Sequence, residues 1–574
     1  MNPAKRKWWL PPMLAVALAS CGGGGGGGSG SGPPPVAVSL SPATADVFVG
    51  GIVQFTATVS NATDATVTWT VSNVAGGNST VGKISSSGLY VAPPIAPNPA
   101  TITVTAVSKA DTTKSASATI TVMAFSSAAL NGQYAFSVAS STIASFLFVV
   151  GSFTADGTGN ITSGVEDVNG APPSVTFTGS YSITPDGRGS ATLSSSMGRT
   201  DFRFVVVSAS EALIIQFDNS FDEGAGLIVK QDPSAFARSS FKGSYAFRYT
   251  GLGLNGGLGA AGTFTADGKG GIAAGAEDVN DGGTVSANAS FTGSYSSIDS
   301  NGRGTATLGT AQVAFYMVSA SRLMFVSLDP LSSFAGEAEG QTFAGGSTSF
   351  SSASLSGDYT FSASGLNTLS LDTVASAGRF TADGKGALTQ GLEDENNAGS
   401  VASSVAFKGT YNISSSGRGA VVLTGGAAAG TFTFYMVSAK RALFVETDSG
   451  SSATGVADGE TGGPFTTPSV VGGFGFLLTG ESLSTAGERE TSGQITADGA
   501  GKIIAGAEDV NDSSTLSPGV AINGTYTLSS DRGTAAIQTA GGTAHLVFYV
   551  TSASELKFVG VDPSLVLAGV AKHF

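Results

Sequence analysis

The chain repeats itself four times over most of its length, and this repeat restricts the fold more than any other feature of the sequence. The pentapeptide Phe-Thr-Ala-Asp-Gly begins at Phe153, Phe264 and Phe380, and its variant Ile-Thr-Ala-Asp-Gly begins at Ile495. The intervals of 111, 116 and 115 residues give each copy the size of a small domain. The repeat predicts four tandem domains of one fold, at residues 127–237, 238–345, 351–462 and 468–574.

Each copy carries further landmarks in the same order after the pentapeptide. A Glu-Asp pair comes first, a Gly-x-Tyr segment second, an Arg-Gly pair third and a Phe-x-x-x-Ser-Ala segment last. The shared order predicts that each landmark has the same place in every copy. The landmarks begin at Glu166, Glu277, Glu393 and Glu508; at Gly179, Gly293, Gly409 and Gly524; at Arg188, Arg303, Arg418 and Arg532; and at Phe204, Phe315, Phe434 and Phe548.

The Gly-x-Tyr segment alternates with a period of two. Phe177 and Tyr181 lie on one side of an extended chain, whereas Thr176 and Thr178 lie on the other. Such a strand has one core face and one wet face. About eight segments of this kind follow one another in the first copy, joined by short turns, which favours antiparallel neighbours in sequential order. We therefore expect an all-β chain in which each copy is a small eight-stranded up-and-down barrel, similar in shape to avidin or lipocalin barrels.

Residues 36–123 predict a separate β-sandwich of about seven short strands. Apolar residues alternate through Val67-Trp69-Val71 and again through Ile102-Val104-Ala106. The segments GKISSSGLYVAPP and TITVTAVSKADTTKSASATITV resemble a bacterial Ig-like domain of group 2. The resemblance implies that Trp69 is the central core tryptophan, and that the domain serves as a spacer or as an adhesive module.

The first residues of the chain predict export. A positive stretch at residues 5–7 precedes an apolar run at residues 10–19, which is too short to remain as a membrane span. The run ends in Leu18-Ala19-Ser20-Cys21, which resembles the lipobox of bacterial lipoproteins. The resemblance implies a signal peptide at residues 1–20 and a diacylglycerol-modified, palmitoylated Cys21. Cys21 is the only cysteine in the chain, so it has no disulfide partner.

Residues 21–35 predict a flexible tether behind the lipid, because seven glycines, a Ser-Gly repeat and three prolines cannot bury a core. By resemblance to the sorting rule of enteric lipoproteins, the glycine after Cys21 implies the outer membrane. We therefore expect an exported protein, anchored by its lipid to the outer membrane or cell surface of a Gram-negative bacterium.

The charge of the chain limits its partners. The formal net charge is −14 with only 12% charged residues, which argues against nucleic acid because DNA and RNA binding needs basic patches. No polybasic segment supports direct binding to anionic lipid, so the expected membrane link is the acylated cysteine. A surface glycan, a protein and a small ligand all remain open as partners.

The scarcity of histidine argues against an enzyme, since hydrolytic triads and imidazole metal sites need it. His545 lies where the other copies have Asp201, Gln312 and Thr431, which predicts a solvent-facing position, and His573 is the penultimate residue. The glycine-rich segments follow no pattern that would cradle phosphate. We expect no catalytic residue and no cofactor.

The Glu-Asp pairs leave three alternatives open: a structural role that includes pairing with the Arg-Gly arginine, calcium binding, or contact with a ligand. Adjacent strand residues face opposite sides, which counts against a convergent glycosidase pair. Nearby asparagines make the loops acidic and polar. The calcium candidates are Asp167, Asn169, Asp278, Asn280, Asp281, Asp394, Asn396, Asp509 and Asn511.

The sequence leaves the function itself open between a cell-surface adhesion or ligand-binding module and a structural spacer lipoprotein. A third alternative is an outer-membrane pore built as one large barrel from all four copies, because the chain ends in Phe574 as such barrels often do. We also expect each Arg-Gly arginine to fork onto a carboxylate of its own copy or onto exposed strand carbonyls near a barrel end, and so to help close its barrel. The alternative is a solvated arginine in a turn.

Overall fold

The computed structural model describes residues 33–574 except 141, 143–146, 220–222, 345–346, 427–428 and 540–541. The predicted signal peptide, Cys21 and most of the tether lie outside the described residues. The fold is all-β, as predicted, with only short 3-10 turns among the strands. In the part of the chain that the structure describes, no helix has the length and apolar character needed to cross a bilayer.

The N-terminal domain contains eleven strands in its described residues, where the sequence predicts about seven. Its sheets have two, five and four strands, in the orders β1-β4, β2-β11-β10-β5-β6 and β3-β9-β8-β7. Phe55, Trp69 and Tyr90 are buried in its core. The strands are β1 (Ala37–Ser41), β2 (Thr44–Phe48), β3 (Ile52–Gln54), β4 (Thr56–Ser60), β5 (Val67–Val71), β6 (Val74–Ala75), β7 (Gly77–Asn78), β8 (Gly82–Ile84), β9 (Leu89–Val91), β10 (Thr101–Ser108) and β11 (Ser115–Met123).

One of the additional strands has a local cause. The alternating run around Phe55 changes sheets, because β3 pairs with β9 whereas β4 pairs with β1. Phe55 itself belongs to neither strand and donates its backbone amide to the carbonyl of Gly88. One continuous apolar pattern therefore makes two strands in two sheets. The assignment to the bacterial Ig-like group stays a prediction.

Each of the four copies forms a closed antiparallel barrel, which confirms the predicted fold class. The first two barrels each have eight strands in sequential order. Barrel 1 consists of β12 (Asn131–Ala139), β13 (Phe148–Asp156), β14 (Asn160–Val168), β15 (Ala171–Ile183), β16 (Arg188–Ser195), β17 (Gly198–Ser208), β18 (Glu211–Gln216) and β19 (Ala225–Lys230). Barrel 2 consists of β20 (Lys242–Leu252), β21 (Gly257–Asp267), β22 (Gly271–Asp281), β23 (Thr284–Tyr295), β24 (Arg303–Leu308), β25 (Ala311–Ser319), β26 (Arg322–Ser327) and β27 (Ser333–Gly340).

The last two barrels repeat this order, except that the fourth strand of barrel 4 is split at Ile522 into two segments. Barrel 3 consists of β28 (Ser356–Leu366), β29 (Thr373–Asp383), β30 (Ala387–Asn397), β31 (Ser400–Ile413), β32 (Arg418–Thr424), β33 (Thr431–Ser438), β34 (Arg441–Glu446) and β35 (Thr454–Gly459). Barrel 4 consists of β36 (Val471–Ser482), β37 (Gly487–Asp498), β38 (Lys502–Asp512), β39 (Thr515–Ala521), β40 (Asn523–Ser529), β41 (Arg532–Thr539), β42 (Gly542–Ser552), β43 (Glu555–Gly560) and β44 (Leu565–His573).

The repeated glycines permit close packing inside each barrel. A Cβ atom built on Gly189, the glycine of the first Arg-Gly pair, would lie 2.2 Å from the ring of Phe204. The first residue of each Phe-x-x-x-Ser-Ala segment therefore packs its ring over the neighbouring Arg-Gly glycine. The same approach is 2.4 Å at Gly304, 2.1 Å at Gly419 and 2.1 Å at Gly533.

The repeated Gly-x-Tyr tyrosine closes one end of each barrel. A short 3-10 turn covers this end, and the tyrosine hydroxyl donates to the backbone carbonyl that follows the turn. In barrel 1 the turn is Ser127–Ala129, and the hydroxyl of Tyr181 lies 2.7 Å from the carbonyl oxygen of Leu130. The equivalent bonds are Tyr295 to Phe241 at 2.9 Å, Tyr411 to Leu355 at 2.8 Å and Tyr526 to Val470 at 2.5 Å.

The four barrels pack side by side in a closed ring. The second strand of each barrel lies against strands of the next barrel: β13 against β25, β26 and β27, β21 against β33 and β34, and β29 against β42, β43 and β44. The second strand of barrel 4, β37, then packs against β17 and β18 of barrel 1. The alternative of one large pore built from all copies is wrong, because each copy closes its own circuit of strand hydrogen bonds.

The N-terminal domain sits against the point where the ring closes. The ring of Phe125 stacks on that of Phe48 at 4.3 Å and meets the ring of Phe574 edge-on at 5.3 Å. The backbone amide of Gly473 in barrel 4 donates to the carbonyl of Gly50 at 2.7 Å. The N-terminal domain is thereby brought into contact with the last residue of the chain.

Candidate functional site

The two residues of each Glu-Asp pair face opposite sides of their strand, as predicted. Glu393 lines the lumen of barrel 3, whereas Asp394 points out of that barrel and pairs with Arg532 of barrel 4. Burial raises the pKa of the equivalent lumen residues Glu166, Glu277 and Glu508 to about 7. The pair therefore contributes one carboxyl to the inside of a barrel and one to the contact between barrels.

The outward-facing aspartate is held by an arginine and a tyrosine of the following barrel. Nε and Nη2 of Arg303 each donate to a different oxygen of Asp167, both at 2.7 Å. The hydroxyl of Tyr316 donates to the same carboxylate at 2.6 Å. Only 1% of the aspartate side chain is exposed, so this is a buried, bidentate, charge-assisted contact.

The same three-residue contact recurs between barrels 2 and 3 and between barrels 3 and 4. We call the interface between two neighbouring barrels of the ring a seam. Arg418 and Tyr435 of barrel 3 hold Asp278 of barrel 2, with distances between 2.6 and 2.8 Å. Arg532 and Tyr549 of barrel 4 hold Asp394 of barrel 3 in the same range. Burial alone would raise the pKa of Asp394, but hydrogen bonds from Arg532, Ser403 and Tyr549 keep it below its ordinary value.

The prediction that each arginine meets a carboxylate of its own copy is wrong for Arg303, Arg418 and Arg532, each of which pairs with the Glu-Asp aspartate of the preceding copy. Within barrel 1 the strand β15 borders both residues, and Glu166 pairs with Val175 whereas Gly189 pairs with Ile183. The Glu-Asp pair and the Arg-Gly pair thus lie toward opposite ends of one barrel. The arginine joins two barrels and does not close its own.

An asparagine two residues after each aspartate holds a hairpin of the next barrel. Nδ2 of the buried Asn280 donates to the carbonyls of Glu446, Asp448 and Ser451 at 3.1, 2.8 and 2.8 Å. Asn396 makes the equivalent bonds to carbonyls of Gly560, Asp562 and Leu565 in barrel 4. Asn511 donates to the carbonyl of Gln216, and Asn169 to the hydroxyl of Ser333.

The calcium candidates therefore lie in these contacts between barrels, except Asp281, which accepts hydrogen bonds from Asn255. Protein groups hydrogen-bond these side chains, but Oδ1 of Asn511 is buried without a partner among the described residues. Among the residues that the structure describes, no group of three or more His, Cys, Asp and Glu side chains could hold a metal ion. Calcium binding by the candidates stays a prediction.

The seam that closes the ring, between barrels 4 and 1, is built differently. Nη1 of Arg188 lies 3.5 Å from Asp509, and Nε of Arg203 lies 3.8 Å from it. Nε of Arg188 turns instead to Asp186, at 3.0 Å. The tyrosine of the other seams is replaced by Val205, which pairs with Arg188 as Tyr316 pairs with Arg303. Burial raises the pKa of Asp509, and its weaker contacts do not offset this rise.

The closing seam also contains two buried acids on β37, Glu488 and Glu490. Glu490 on β37 is fully buried, and its position in the strand pairing is that of Phe148, Gly259 and Ala375 in the other barrels. Burial and the neighbouring Glu488 raise the pKa of Glu490 well above its ordinary value. Glu488 accepts a hydrogen bond from Ser140 at 2.9 Å.

The barrel lumens differ in how completely they are filled. Barrels 1 and 4 enclose apolar cavities of about 20 and 30 Å³, whereas barrel 3 encloses one of about 90 Å³ that three carboxyl groups also line. A wider cleft of about 450 Å³ lies at the mouth of barrel 4, and two of the charged residues that line it, Arg489 and Asp512, pair with each other. The lumen of barrel 3 therefore combines the largest of these three enclosed cavities with three carboxyl groups.

The two histidines lie away from this lumen. His545 is solvent-facing, as predicted, with 55% of its side chain exposed and its Nδ1 at 2.8 Å from a carboxylate oxygen of Asp562. The ring of His573 contacts the backbone carbonyls of Phe574 and Val471, and burial lowers its pKa.

The sequence reasoning missed the seam tyrosines. Tyr316, Tyr435 and Tyr549 each follow the phenylalanine of a Phe-x-x-x-Ser-Ala segment, whereas a valine follows Phe204 in the first copy. This three-to-one pattern is the signal that distinguishes the closing seam in the sequence.

No protein family and no curated protein matches the sequence. Some solved structures do. Transferrin binding protein B from serogroup B Neisseria meningitidis is 10% identical, with 61% of this chain and 79% of that chain covered and a TM-score of 0.18. A mutant of the transferrin binding protein B from Haemophilus parasuis is 12% identical, with 65% of this chain and 86% of that chain covered and a TM-score of 0.16. Intact Ap-TbpB, with N and C lobes, is 11% identical, with coverages of 77% and 94% and a TM-score of 0.17. At these TM-scores the likeness carries no argument about function.

Proposed function

We propose that the chain is a lipid-anchored, non-enzymatic binding protein of the outer membrane or cell surface, whose four barrels act as one preassembled head. The observation that carries this proposal is the closed ring. A spacer gains reach from every added domain, whereas here barrel 4 returns to barrel 1 and both lie against the N-terminal domain. The repeats therefore enlarge the exposed surface of the assembly and do not lengthen it. This favours a binding module over a structural spacer.

The seams support the same proposal. Buried, bidentate contacts between aspartate and arginine fix the orientation of neighbouring barrels. A fixed orientation presents the hairpins of several barrels together without an ordering cost at the moment of binding. The partner on this outer surface is a glycan or a protein.

Anchoring through Cys21 is the part of the proposal that a single substitution tests. Cys21→Ala should abolish labelling of the chain by radioactive palmitate and move it from the membrane fraction to the soluble fraction. Ser20→Ala, next to the modified residue, keeps a small residue there and serves as the control. Undiminished labelling of Cys21→Ala would refute the lipid anchor.

Binding by the head is tested with cells that display the full chain. These cells should adhere to at least one of a set of glycan-coated and protein-coated surfaces, and cells that express Cys21→Ala should not. If display confers adhesion to no surface in the set, the spacer alternative is favoured instead.

A further inference from the structure

We propose that the lumen of barrel 3 is a binding site for a small organic cation, an amine with an apolar body. This inference deepens the proposed binding function and rests on it, but it concerns an enclosed site and not the outer surface of the ring.

The lumen of barrel 3 contains unfilled space. The cavity of about 90 Å³ in barrel 3 is lined by apolar side chains, and Phe361, Phe380 and Phe444 are only half-buried around it. The corresponding spaces in barrels 1 and 4 are about 20 and 30 Å³. Protein interiors are close-packed by default, so a larger void in one of four repeated barrels needs a cause.

A small residue provides that cause. Ala363 lies four residues after the buried Tyr359 of β28, at a position that projects into the lumen. The equivalent positions, counted from the first strand of each barrel, hold the larger residues Val138, Tyr249 and Leu478. Barrel 3 alone has alanine there, and the missing side-chain volume opens the cavity.

The lumen of barrel 3 also contains acidic side chains. Glu393 is shared by all four barrels, but Glu395 occupies a position that holds Val168, Val279 and Val510 elsewhere. Glu446 pairs with Phe432 where the other barrels have Gln216, Ser327 and Gly560 in the same register. Barrel 3 therefore has a smaller side chain at one lumen position and carboxyl groups at two other positions where the other barrels have none.

These carboxyl groups lie in an apolar surrounding. Only 8% of Glu395 is exposed, and Glu446 accepts a hydrogen bond from the hydroxyl of Ser451. In the described part of the chain, no lysine or arginine forms an ion pair with Glu395 or Glu446. Burial raises the pKa of Glu446 to about 8 and also raises that of Glu395. Charging such groups is costly unless a cation accompanies them.

An amine with a hydrophobic body fits both the apolar space and the carboxyl groups of this lumen. Its ammonium group would replace the missing cation beside the carboxylates, and its body would fill the space between the phenylalanine rings, whose faces attract cations. A fully hydrated inorganic cation would leave the apolar wall without a partner. An uncharged hydrophobe would leave the carboxyl groups without one.

The test is calorimetric titration of the full chain with benzylamine, with benzyl alcohol as the uncharged analogue. We expect benzylamine to bind with a stoichiometry of one and benzyl alcohol to bind about tenfold more weakly or worse. The double variant Glu395→Gln, Glu446→Gln should weaken benzylamine binding by a similar factor. Ala363→Leu, which introduces the residue that barrel 4 already carries at this position, should abolish binding.

Matched variants keep the test decisive. Glu277→Gln removes the shared lumen acid of barrel 2 and should leave benzylamine binding unchanged. An unaltered thermal unfolding profile shows that each variant is folded. Equal affinity for benzylamine and benzyl alcohol, or unchanged binding in Ala363→Leu, would overturn the site. A chain that fails to bind the amine but still confers adhesion would lose the lumen site alone, whereas the reverse result would remove only the outer binding surface.

Discussion

The three seams between consecutive barrels differ from the seam that closes the ring. Each consecutive seam holds a buried aspartate between an arginine fork and a tyrosine hydroxyl. The closing seam has longer contacts to Asp509, a valine in place of the tyrosine, and the buried acid pair Glu488 and Glu490. The first and last barrels therefore lack the short bidentate fork that joins consecutive barrels, although Lys572 of barrel 4 pairs with Glu211 of barrel 1. The closing seam is therefore where this ring should open.

The largest effect should follow the loss of an arginine from a consecutive seam. Arg418→Ala leaves the fully buried carboxylate of Asp278 without its cation, which should cost about 3 kcal/mol of unfolding free energy. Arg188→Ala in the closing seam should cost under about 1 kcal/mol, because its contact is longer and already shared with Asp186. Urea denaturation of both variants of the full chain measures the difference. Equal costs would show that the seams are equivalent.

A smaller effect should follow the loss of a seam hydroxyl. Tyr435→Phe removes the 2.6 Å hydrogen bond to Asp278 and keeps the ring, so we expect a loss of about 1.5 kcal/mol. The control is Val205→Ile in the closing seam, which keeps an aliphatic residue and should change stability by under about 1 kcal/mol. If Tyr435→Phe is neutral, the hydroxyl adds nothing to this contact and the contrast between the seams lies in the arginine alone.

The smallest effect should be a graded response of the closing seam to pH. Burial, Glu488 and Glu223 raise the pKa of Glu490 above its ordinary 4.5, so this group penalises the closed ring increasingly as pH rises from there. Asp394 has a lowered pKa and stabilises its seam above 3.8, losing that contribution only as pH falls through its lower folded value. Between about pH 5 and 8, Glu490 should therefore loosen the closing seam as pH rises, whereas the contact of Arg532 with Asp394 should stay unchanged.

Amide hydrogen exchange at β37 and β17 measures this loosening. Glu490→Gln should flatten the pH response of exchange. Glu166→Gln, which removes a buried acid from the lumen of barrel 1, should leave the response of the seam intact. Exchange at these strands that is independent of pH in the parent chain would remove the acid contribution from the comparison.

The strands and barrels could be predicted from the sequence because their signals are local. Phe177 and Tyr181 alternate with threonines within a few residues, and every copy repeats the same landmarks. The partner of each arginine could not be predicted in this way. Arg303 and Asp167 lie 136 residues apart in different copies, and no local pattern says which of four aspartates an arginine will reach.

The lumen of barrel 3 was missed for a different reason. The landmarks that define the repeat are the residues that all copies share, whereas Ala363, Glu395 and Glu446 are departures from it. A departure acquires meaning only when strand register shows that the three positions share one lumen. The three residues can be read from the sequence, but only the closed barrel brings their side chains together in one lumen.

Head-to-tail packing has a consequence for how many copies such a chain can hold. Every barrel offers one face to its predecessor and a different face to its successor, so each contact turns the array by a set amount. Four turns complete the circle. A gene that gained a fifth copy by duplication would encode a barrel with no place in the ring, and one that lost a copy would leave a gap. The geometry of the contacts thus limits the number of repeats in a closed ring, and selection for ring closure would keep this number at four.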